Sequence, residues 1–184
     1  LTVYDYSFSH ILDQAGIEIL LVGDSLGMVI QGHETTLPVS MCNVLYHTQC
    51  VSRGCNSALV IADMPFGSYQ GSPQSAYENA ARLVGEGGAH MVKIEGGVVM
   101  AETVTFLVDR GIPVCGHIGL TPQSVNQLGG FRVQGREEST AEELRRDARN
   151  LEEAGASLLI LEAIPAQLAK GITDSVSIPT VGIG

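Results

Sequence analysis

The chain has 184 residues, of which 45% are hydrophobic, and a formal net charge of −10 from 20 acidic and 10 basic side chains. A chain of this length and composition can bury a sizeable core, and we predict a single domain over residues 1–184. The acidic balance disfavours a nucleic-acid or anionic-membrane partner, because phosphate groups would be repelled. No apolar run approaches the ~18 residues of a membrane span, and the cysteines lack zinc or redox spacing, so we expect a reduced, cytoplasmic protein.

Short apolar segments rich in β-branched residues alternate with amphipathic segments along the chain. In chain order, the sequence predicts strands at 1–4, 19–22, 58–62, 90–94, 112–116, 157–161 and 181–184, and helices at 7–15, 41–52, 73–85, 98–109, 140–155 and 165–173. Ser72 with Pro73 is typical of a helix start, and Thr140 with Glu143 is typical of a capping box that begins the longest helix. A glycine precedes most of the strands, which predicts βα repeats and a parallel sheet.

The repeat pattern favours one fold class over the nucleotide-binding folds. There is no GxGxxG after the first strand and no GxxxxGK[ST], so doubly wound nucleotide-binding folds are disfavoured. The predicted strands are about seven of the eight of a (β/α)8 TIM barrel, which usually needs about 250 residues. We therefore expect an α/β chain of the TIM-barrel class that is truncated at both ends.

Ionisable residues follow the predicted strands at or near their carboxyl ends. These residues are Asp24, Asp63, Glu95, His117 and Glu162. A charge at the end of a buried strand is costly unless it is paired. In a barrel the carboxyl ends of all strands meet at one mouth, where active sites are built. The sequence therefore predicts that these side chains converge in one site.

Asp24, Asp63 and Glu95 are carboxylates on neighbouring predicted strands. Converging like charges need a counter-charge, and oxygen-only ligands favour Mg²⁺ over zinc. We therefore predict a magnesium site. The alternative for each acid is a helix cap or a salt bridge of its own.

Lys93 lies two residues before Glu95 in the same predicted strand, so both side chains point to the same face. A lysine there suits a substrate carboxylate or a developing oxyanion, and the alternative is a structural ion pair with Glu95 or Asp63. Glu162 follows an apolar strand, which suits a general base, and its alternative is to cap the helix from Pro165. His117 alone is weak evidence, since a histidine on a strand is often a hydrogen-bonded core residue.

Longer motifs add to this pattern and occur in a fixed order. They are LVGDSLG at 21–27, ADMPF at 62–66, VKIEGG at 92–97, GHIGLTPQS at 116–124 and GGFRVQGR at 129–136. In these motifs, and over essentially its whole length, the chain closely resembles the ketopantoate hydroxymethyltransferase family of the phosphoenolpyruvate/pyruvate barrel superfamily.

The resemblance implies an activity with its cofactors and partners. The family transfers a hydroxymethyl group from 5,10-methylenetetrahydrofolate to 3-methyl-2-oxobutanoate, giving 2-dehydropantoate for pantothenate biosynthesis. It implies Mg²⁺ as cofactor, the folate as co-substrate, and a homo-oligomer, which in the family is a decamer. The implied mechanism is Mg-assisted enolisation of the 2-oxo acid followed by an aldol-type addition.

The resemblance also implies a role for each residue that matches a family motif. The implied metal ligands are Asp24, Asp63 and Glu95. The implied contacts of the 2-oxo acid are Asp24, Ser25, Asp63 and Lys93. The implied catalytic residues are Glu162 as proton acceptor, Lys93 beside the developing oxyanion and His117 as a hydrogen-bonding partner.

Two alternatives remain open at this stage. One is another Mg-dependent 2-oxo acid lyase or mutase of the same superfamily, and the other is an inactive, truncated fragment. The glycine-rich segment 129–135 is either a lid over the barrel mouth or an ordinary long loop.

Overall fold

The structure is a computed structural model that describes residues 1–184. The chain forms two compact units, Leu1–Lys93 and Ile94–Gly184, with the division inside a strand. The single domain over residues 1–184 stays a prediction.

The first unit contains four helices and the strands that they flank. The helices are α1 (Tyr6–Gln14), α2 (Leu26–Val29), α3 (Met41–Gly54) and α4 (Pro73–Gly85). The strands are β1 (Ile19–Val22), β2 (Leu59–Asp63) and β3 (Met91–Glu95), of which Ile94 and Glu95 belong to the second unit.

The strands of the first unit pair in parallel. Leu20 aligns with Val60 and Val22 with Ala62, and all of these side chains are fully buried. A strand buried on both faces needs a continuous apolar run, which explains why these segments carry almost no polar residue. The strand predicted at 1–4 is reduced to a parallel bridge between Thr2 and Leu21, with the Val3 N–H donating to the Leu21 carbonyl oxygen at 2.9 Å.

Side-chain caps define where the helices of the first unit begin. The Ser72 hydroxyl accepts the Ser75 N–H, and Pro73 occupies the first turn of α4, as predicted. A reciprocal capping box of Ser40 and Asn43 begins α3. These caps satisfy amide groups that have no partner within the helix, so they fix the point at which each helix leaves its loop.

The second unit repeats the same architecture. Its complete strands are β4 (Val114–Gly119), β5 (Leu158–Glu162) and β6 (Thr180–Ile183), and β5 pairs in parallel with both of the others. Its helices are α5 (Ala101–Val108), α6 (Val125–Leu128), α7 (Glu138–Glu153) and α8 (Ala166–Ser175). Short 3₁₀ turns at Val98–Met100 and Pro122–Ser124 precede α5 and α6.

The predicted capping box at Thr140 and Glu143 is wrong. Helix α7 begins at Glu138, with Glu137 at the cap position and no side-chain cap. Thr140 already lies in the first turn, where its hydroxyl donates to the Glu137 carbonyl oxygen at 2.9 Å. A threonine hydroxyl that bonds back to the preceding turn cannot serve as the acceptor at a helix start.

Parallel strands that alternate with helices confirm the predicted fold class, α/β with the βα repeat of a (β/α)8 barrel. None of the helices is both long and apolar enough to cross a membrane. Within each unit the parallel strands end at the same edge, so residues at their carboxyl ends are brought together.

Candidate active site

In the first unit, a buried ion pair joins the ends of β2 and β3. Asp63 is the last residue of β2 and aligns with Lys93 of β3. The Lys93 Nζ lies 2.9 Å from Asp63 Oδ1, and the two side chains are only 5% and 3% exposed. The other carboxylate oxygen, Oδ2, accepts the backbone N–H of Asp24 at 2.9 Å. Asp63 therefore contacts both the Lys93 ammonium group and the backbone just after β1, and it fixes their positions relative to each other.

The turn after β1 is tight because Gly23 allows a close approach. A Cβ atom at Gly23 would lie 2.6 Å from Ser25 Oγ and 3.6 Å from Asp63 Oδ2. The glycine therefore leaves room for the Ser25 hydroxyl inside the turn, whereas the separation from the Asp63 carboxylate is an ordinary contact distance. Asp24 itself is 3% exposed.

Tyr4 completes this cluster and was not selected from the sequence. Its hydroxyl lies 2.8 Å from Ser25 Oγ. Burial raises the pKa of Tyr4, and the negative charges of Asp63 and Asp24 raise it further, against the lowering effect of the Ser25 hydrogen bond. The phenol is therefore neutral at physiological pH and supplies a hydroxyl group to the site. The signals available in the sequence were its position in the apolar segment before the first helix and the similarity of residues 4–7 to the family.

In the second unit, His117 connects two carboxylates. Its Nδ1 lies 3.4 Å from Glu95 Oε1, and its Nε2 lies 3.1 Å from Glu162 Oε2. His117 lies inside β4 and is 1% exposed, whereas the Glu162 side chain is 20% exposed. A neutral imidazole carries a proton on one nitrogen only, so the ring can donate to both neighbouring carboxylates only after it takes up a second proton. The arrangement can therefore hold and pass a proton.

A backbone amide fixes the position of Glu95 in this second cluster. The Gln123 N–H, in the 3₁₀ turn after β4, donates to Glu95 Oε2 at 3.0 Å. Gln123 is 5% exposed. Gln123 lies in the motif at 116–124. Because it contacts Glu95 through its backbone N–H, which most residue types also have, its side chain could not indicate this role in the sequence.

The structure decides between some of the alternatives left open by the sequence. Lys93 pairs with Asp63, so the ion pair is present and the ammonium group is fixed beside that carboxylate. Helix α8 has Pro165 at its cap position and no side-chain cap, so Glu162 does not cap it. Within the units, Asp24, Ser25, Asp63 and Lys93 come together in the first, and Glu95, His117 and Glu162 come together in the second.

The donor set of the first cluster fits a magnesium ion. Asp24 and Asp63 supply hard carboxylate oxygens, and with Lys93 the three formal charges sum to −1. No group of three or more His, Cys, Asp and Glu residues has the arrangement of a complete metal site. Mg²⁺ does not require one, because it commonly uses one or two carboxylates and completes its shell with water and substrate oxygens. Glu95 as a third ligand stays a prediction.

Comparison with solved structures identifies the fold class of the chain. Phosphoenolpyruvate phosphomutase from Streptomyces platensis matches with a TM-score of 0.74 at 14% identity, covering 98% of this chain and 66% of that chain. A phosphonopyruvate hydrolase complex with oxalate and Mg²⁺ matches with a TM-score of 0.73 at 13% identity, covering 98% and 65% of the two chains. At these identities the similarity establishes a shared α/β fold and no shared reaction.

Sequence comparison then identifies the family. The family model for ketopantoate hydroxymethyltransferase matches residues 1–184. The 3-methyl-2-oxobutanoate hydroxymethyltransferase of Thiobacillus denitrificans is 61% identical over 184 residues, which are all of this chain and 70% of that protein. The chain therefore belongs to the ketopantoate hydroxymethyltransferase family, and the predicted resemblance and transferase class are confirmed.

Proposed function

We propose that the protein transfers a hydroxymethyl group from 5,10-methylenetetrahydrofolate to 3-methyl-2-oxobutanoate, giving 2-dehydropantoate for pantothenate biosynthesis. We propose further that it acts in the cytoplasm as a homo-oligomer. The observation that carries the proposal is the partly exposed Glu162 carboxylate, whose Oε2 lies 3.1 Å from the buried His117 Nε2. A carboxylate held in this way is suited to remove a proton from carbon.

The acidic residues of the first cluster support a magnesium cofactor. Asp24 and Asp63 would hold the ion, with Glu95 as the third predicted ligand. When bound, Mg²⁺ acts as a Lewis acid that polarises the carbonyl group of the 2-oxo acid.

Lys93 supplies a fixed positive charge for the same substrate. Because Asp63 holds its ammonium group at 2.9 Å, the lysine needs little reorganisation to face a substrate carboxylate or a developing oxyanion. The hydroxyl of Ser25, which is positioned by Tyr4, is a further hydrogen-bonding group for the substrate. These groups orient the 2-oxo acid before the chemical step.

Glu162 performs the proton transfer. The C3–H bond of the 2-oxo acid breaks, the proton passes to the Glu162 carboxylate, and the electron pair forms the C2–C3 double bond of an enolate. Water adds to the methylene carbon of the folate co-substrate and both of its C–N bonds break, which releases tetrahydrofolate and a one-carbon unit at the oxidation level of formaldehyde. C3 of the enolate attacks the carbon of this unit, and the oxygen of the unit takes up a proton to become the hydroxyl group of the product. The contact with His117 Nε2 at 3.1 Å keeps the carboxylate aimed at C3 and places the imidazole where it can share the acquired proton.

Solvent deuterium exchange at C3 of 3-methyl-2-oxobutanoate, followed by NMR with and without Mg²⁺, tests this function without the folate. We expect Mg²⁺-dependent exchange that falls by about 10²–10⁴-fold in Glu162→Gln, the range for loss of a general base. Glu153→Gln, at the exposed end of α7, is the control and should exchange at the wild-type rate. Absence of exchange in the wild type with Mg²⁺ would exclude the proposed enolisation.

A further inference from the structure

We propose that Gly119 and Ala163 are positioning residues that fix the direction of the Glu162 side chain by locking its backbone. The inference deepens the proposed function and rests on it, because it assigns residues that act through Glu162. Neither residue carries a chemical group that could react with the substrate.

Three segments of the second unit hold the backbone at Glu162. The Leu120 N–H, directly after β4, donates to the Glu162 carbonyl oxygen at 2.9 Å. The Ala163 N–H donates to the carbonyl oxygen of Ile183 in β6 at 2.9 Å. The Ala163 carbonyl oxygen in turn accepts the N–H of Gln134 at 2.9 Å. The chain is therefore fixed from both neighbouring strands and from the glycine-rich segment.

Ala163 has a backbone conformation that alanine rarely adopts. Its φ is +48°, and it is the only non-glycine residue of the chain with a positive φ. The left-handed region is unfavourable for a residue with a Cβ atom, so surrounding contacts must hold it there. The hydrogen bonds to Ile183 and Gln134 supply those contacts on both sides of the residue. The resulting turn sets the direction in which the chain leaves Glu162.

Gly119, at the end of β4, lies against the turn at Glu162 and Ala163, and a larger residue would not fit there. It aligns with Glu162 in the β4–β5 register and has a φ of +95°. A Cβ atom at Gly119 would lie 2.2 Å from the Glu162 carbonyl oxygen and 2.8 Å from Ile164 Cγ2. Because a backbone oxygen cannot rotate away as a flexible side chain can, any larger residue must displace Glu162.

The position of Gly119 also explains why His117 and Glu162 meet. Gly119 lies two residues after His117 in β4, so one strand supplies both the imidazole and the backbone that holds the carboxylate. The Nε2–Oε2 distance of 3.1 Å therefore depends on the close approach at Gly119. Displacement of the Glu162 backbone should lengthen this distance.

The test compares Gly119→Ala with Gly111→Ala. Gly111 also has a positive φ, +82°, but a Cβ atom there would have nothing within 4 Å, so it reproduces the backbone strain without the clash. We expect Gly119→Ala to lower the saturating rate of C3 deuterium exchange by about 10²-fold, the cost of a misplacement near 1 Å. The KM for the 2-oxo acid should change little, and Gly111→Ala should exchange like the wild type.

A second readout does not depend on activity. In a crystal structure of Gly119→Ala, the distance from His117 Nε2 to Glu162 Oε2 should exceed the 3.1 Å of the parent chain. If the wild type shows no Mg²⁺-dependent exchange, the proposed function fails, and this distance still tests the positioning. An unchanged distance, or equal losses of exchange in Gly119→Ala and Gly111→Ala, would overturn the proposal.

Ala163→Gly supplies the test if Gly119→Ala does not fold. Glycine tolerates a positive φ, so this variant should keep or raise the melting temperature while the turn becomes looser. We expect its exchange rate to fall severalfold although its stability does not. Wild-type exchange in Ala163→Gly would contradict a positioning role for the residue.

Discussion

The two compact units carry different ionisable groups at the carboxyl ends of their strands. In the first unit a lysine lies beside a buried carboxylate, and a second carboxylate emerges from the neighbouring strand. In the second unit an imidazole lies between two carboxylates. The first arrangement supplies charge that is fixed in place, and the second can exchange a proton. The comparison shows that the same βα repeat can place either a lysine–carboxylate pair or an imidazole between carboxylates at the strand ends, according to the residues there.

The two units nevertheless use the same device to hold their loops. In the first, the Asp13 carboxylate of α1 accepts the backbone N–H groups of Asn56, Ser57 and Ala58, immediately before β2. In the second, Glu152 of α7 accepts the N–H groups of Ser177 and Ile178, shortly before β6. The hydrogen bond from the Ala58 N–H is the largest cause that lowers the pKa of Asp13, and the hydrogen bond from the Ser177 hydroxyl is the largest cause that lowers the pKa of Glu152. These carboxylates thus hold the loops that precede the strands, whereas the carboxylates at the carboxyl ends form the candidate site.

The largest effect is expected where fixed charge is removed. Asp63→Asn leaves the buried Lys93 without its carboxylate, and breaking a buried pair typically costs about 3–5 kcal/mol of unfolding free energy. The C3 exchange rate should fall below detection, because the predicted metal ligand is lost as well. Urea denaturation and NMR exchange measure the two effects. Arg145→Gln, in an exposed ion pair, should change neither, and a fully stable Asp63→Asn variant would show that the pair is not structural.

Removal of the imidazole should affect the rate more than the fold. His117→Gln loses the contact to Glu162, and we expect exchange to fall by about 10²-fold through misplacement of that carboxylate. His33→Gln, at an exposed position, is the matched control. Wild-type exchange in His117→Gln would mean that the second cluster does not depend on its histidine.

Asp13→Asn should lower stability in a way that depends on pH. The hydrogen bonds depress the folded pKa of Asp13 below its ordinary value of 3.8, so the charged form stabilises the fold at neutral pH. This contribution is present above the unfolded pKa and is lost as the pH falls below it. The melting temperature of Asp13→Asn should therefore be lower than that of the wild type at pH 7, and the difference should shrink below pH 3.8. A constant difference across this range would contradict the assignment.

Tyr4→Phe is expected to have the smallest effect. It removes one hydroxyl, which lies 2.8 Å from Ser25 Oγ, and a hydrogen bond of this kind contributes about 0.5–1.5 kcal/mol to stability. Exchange should fall only a few-fold, with a rise in the KM for the 2-oxo acid if Ser25 contacts the substrate. Steady-state exchange at varied substrate concentration measures both. Tyr46→Phe, at an exposed position on α3, should leave both unchanged.

The sequence by itself determined the strand–helix alternation and the residues at the strand ends. Asp63, Glu95 and Glu162 could be selected because each ends a short, mainly apolar strand segment, and such segments are a local property. The helix start at Ser72 and Pro73 was also predictable, because a cap acts within one turn. Thr140 shows the limit of this approach, since the same residue type can cap a helix or bond back within it.

Only the tertiary structure decided which of these side chains meet. The pairing of Asp63 with Lys93 depends on the register of β2 and β3, and the contact of His117 with Glu162 depends on that of β4 and β5. An alternating hydrophobic pattern can specify register when one face of a strand is buried, but these strands are buried on both faces and carry nearly continuous apolar runs, so contacts between distant segments set their register. The left-handed backbone of Ala163 has the same origin, because partners from β6 and from the glycine-rich segment hold an otherwise unfavourable conformation.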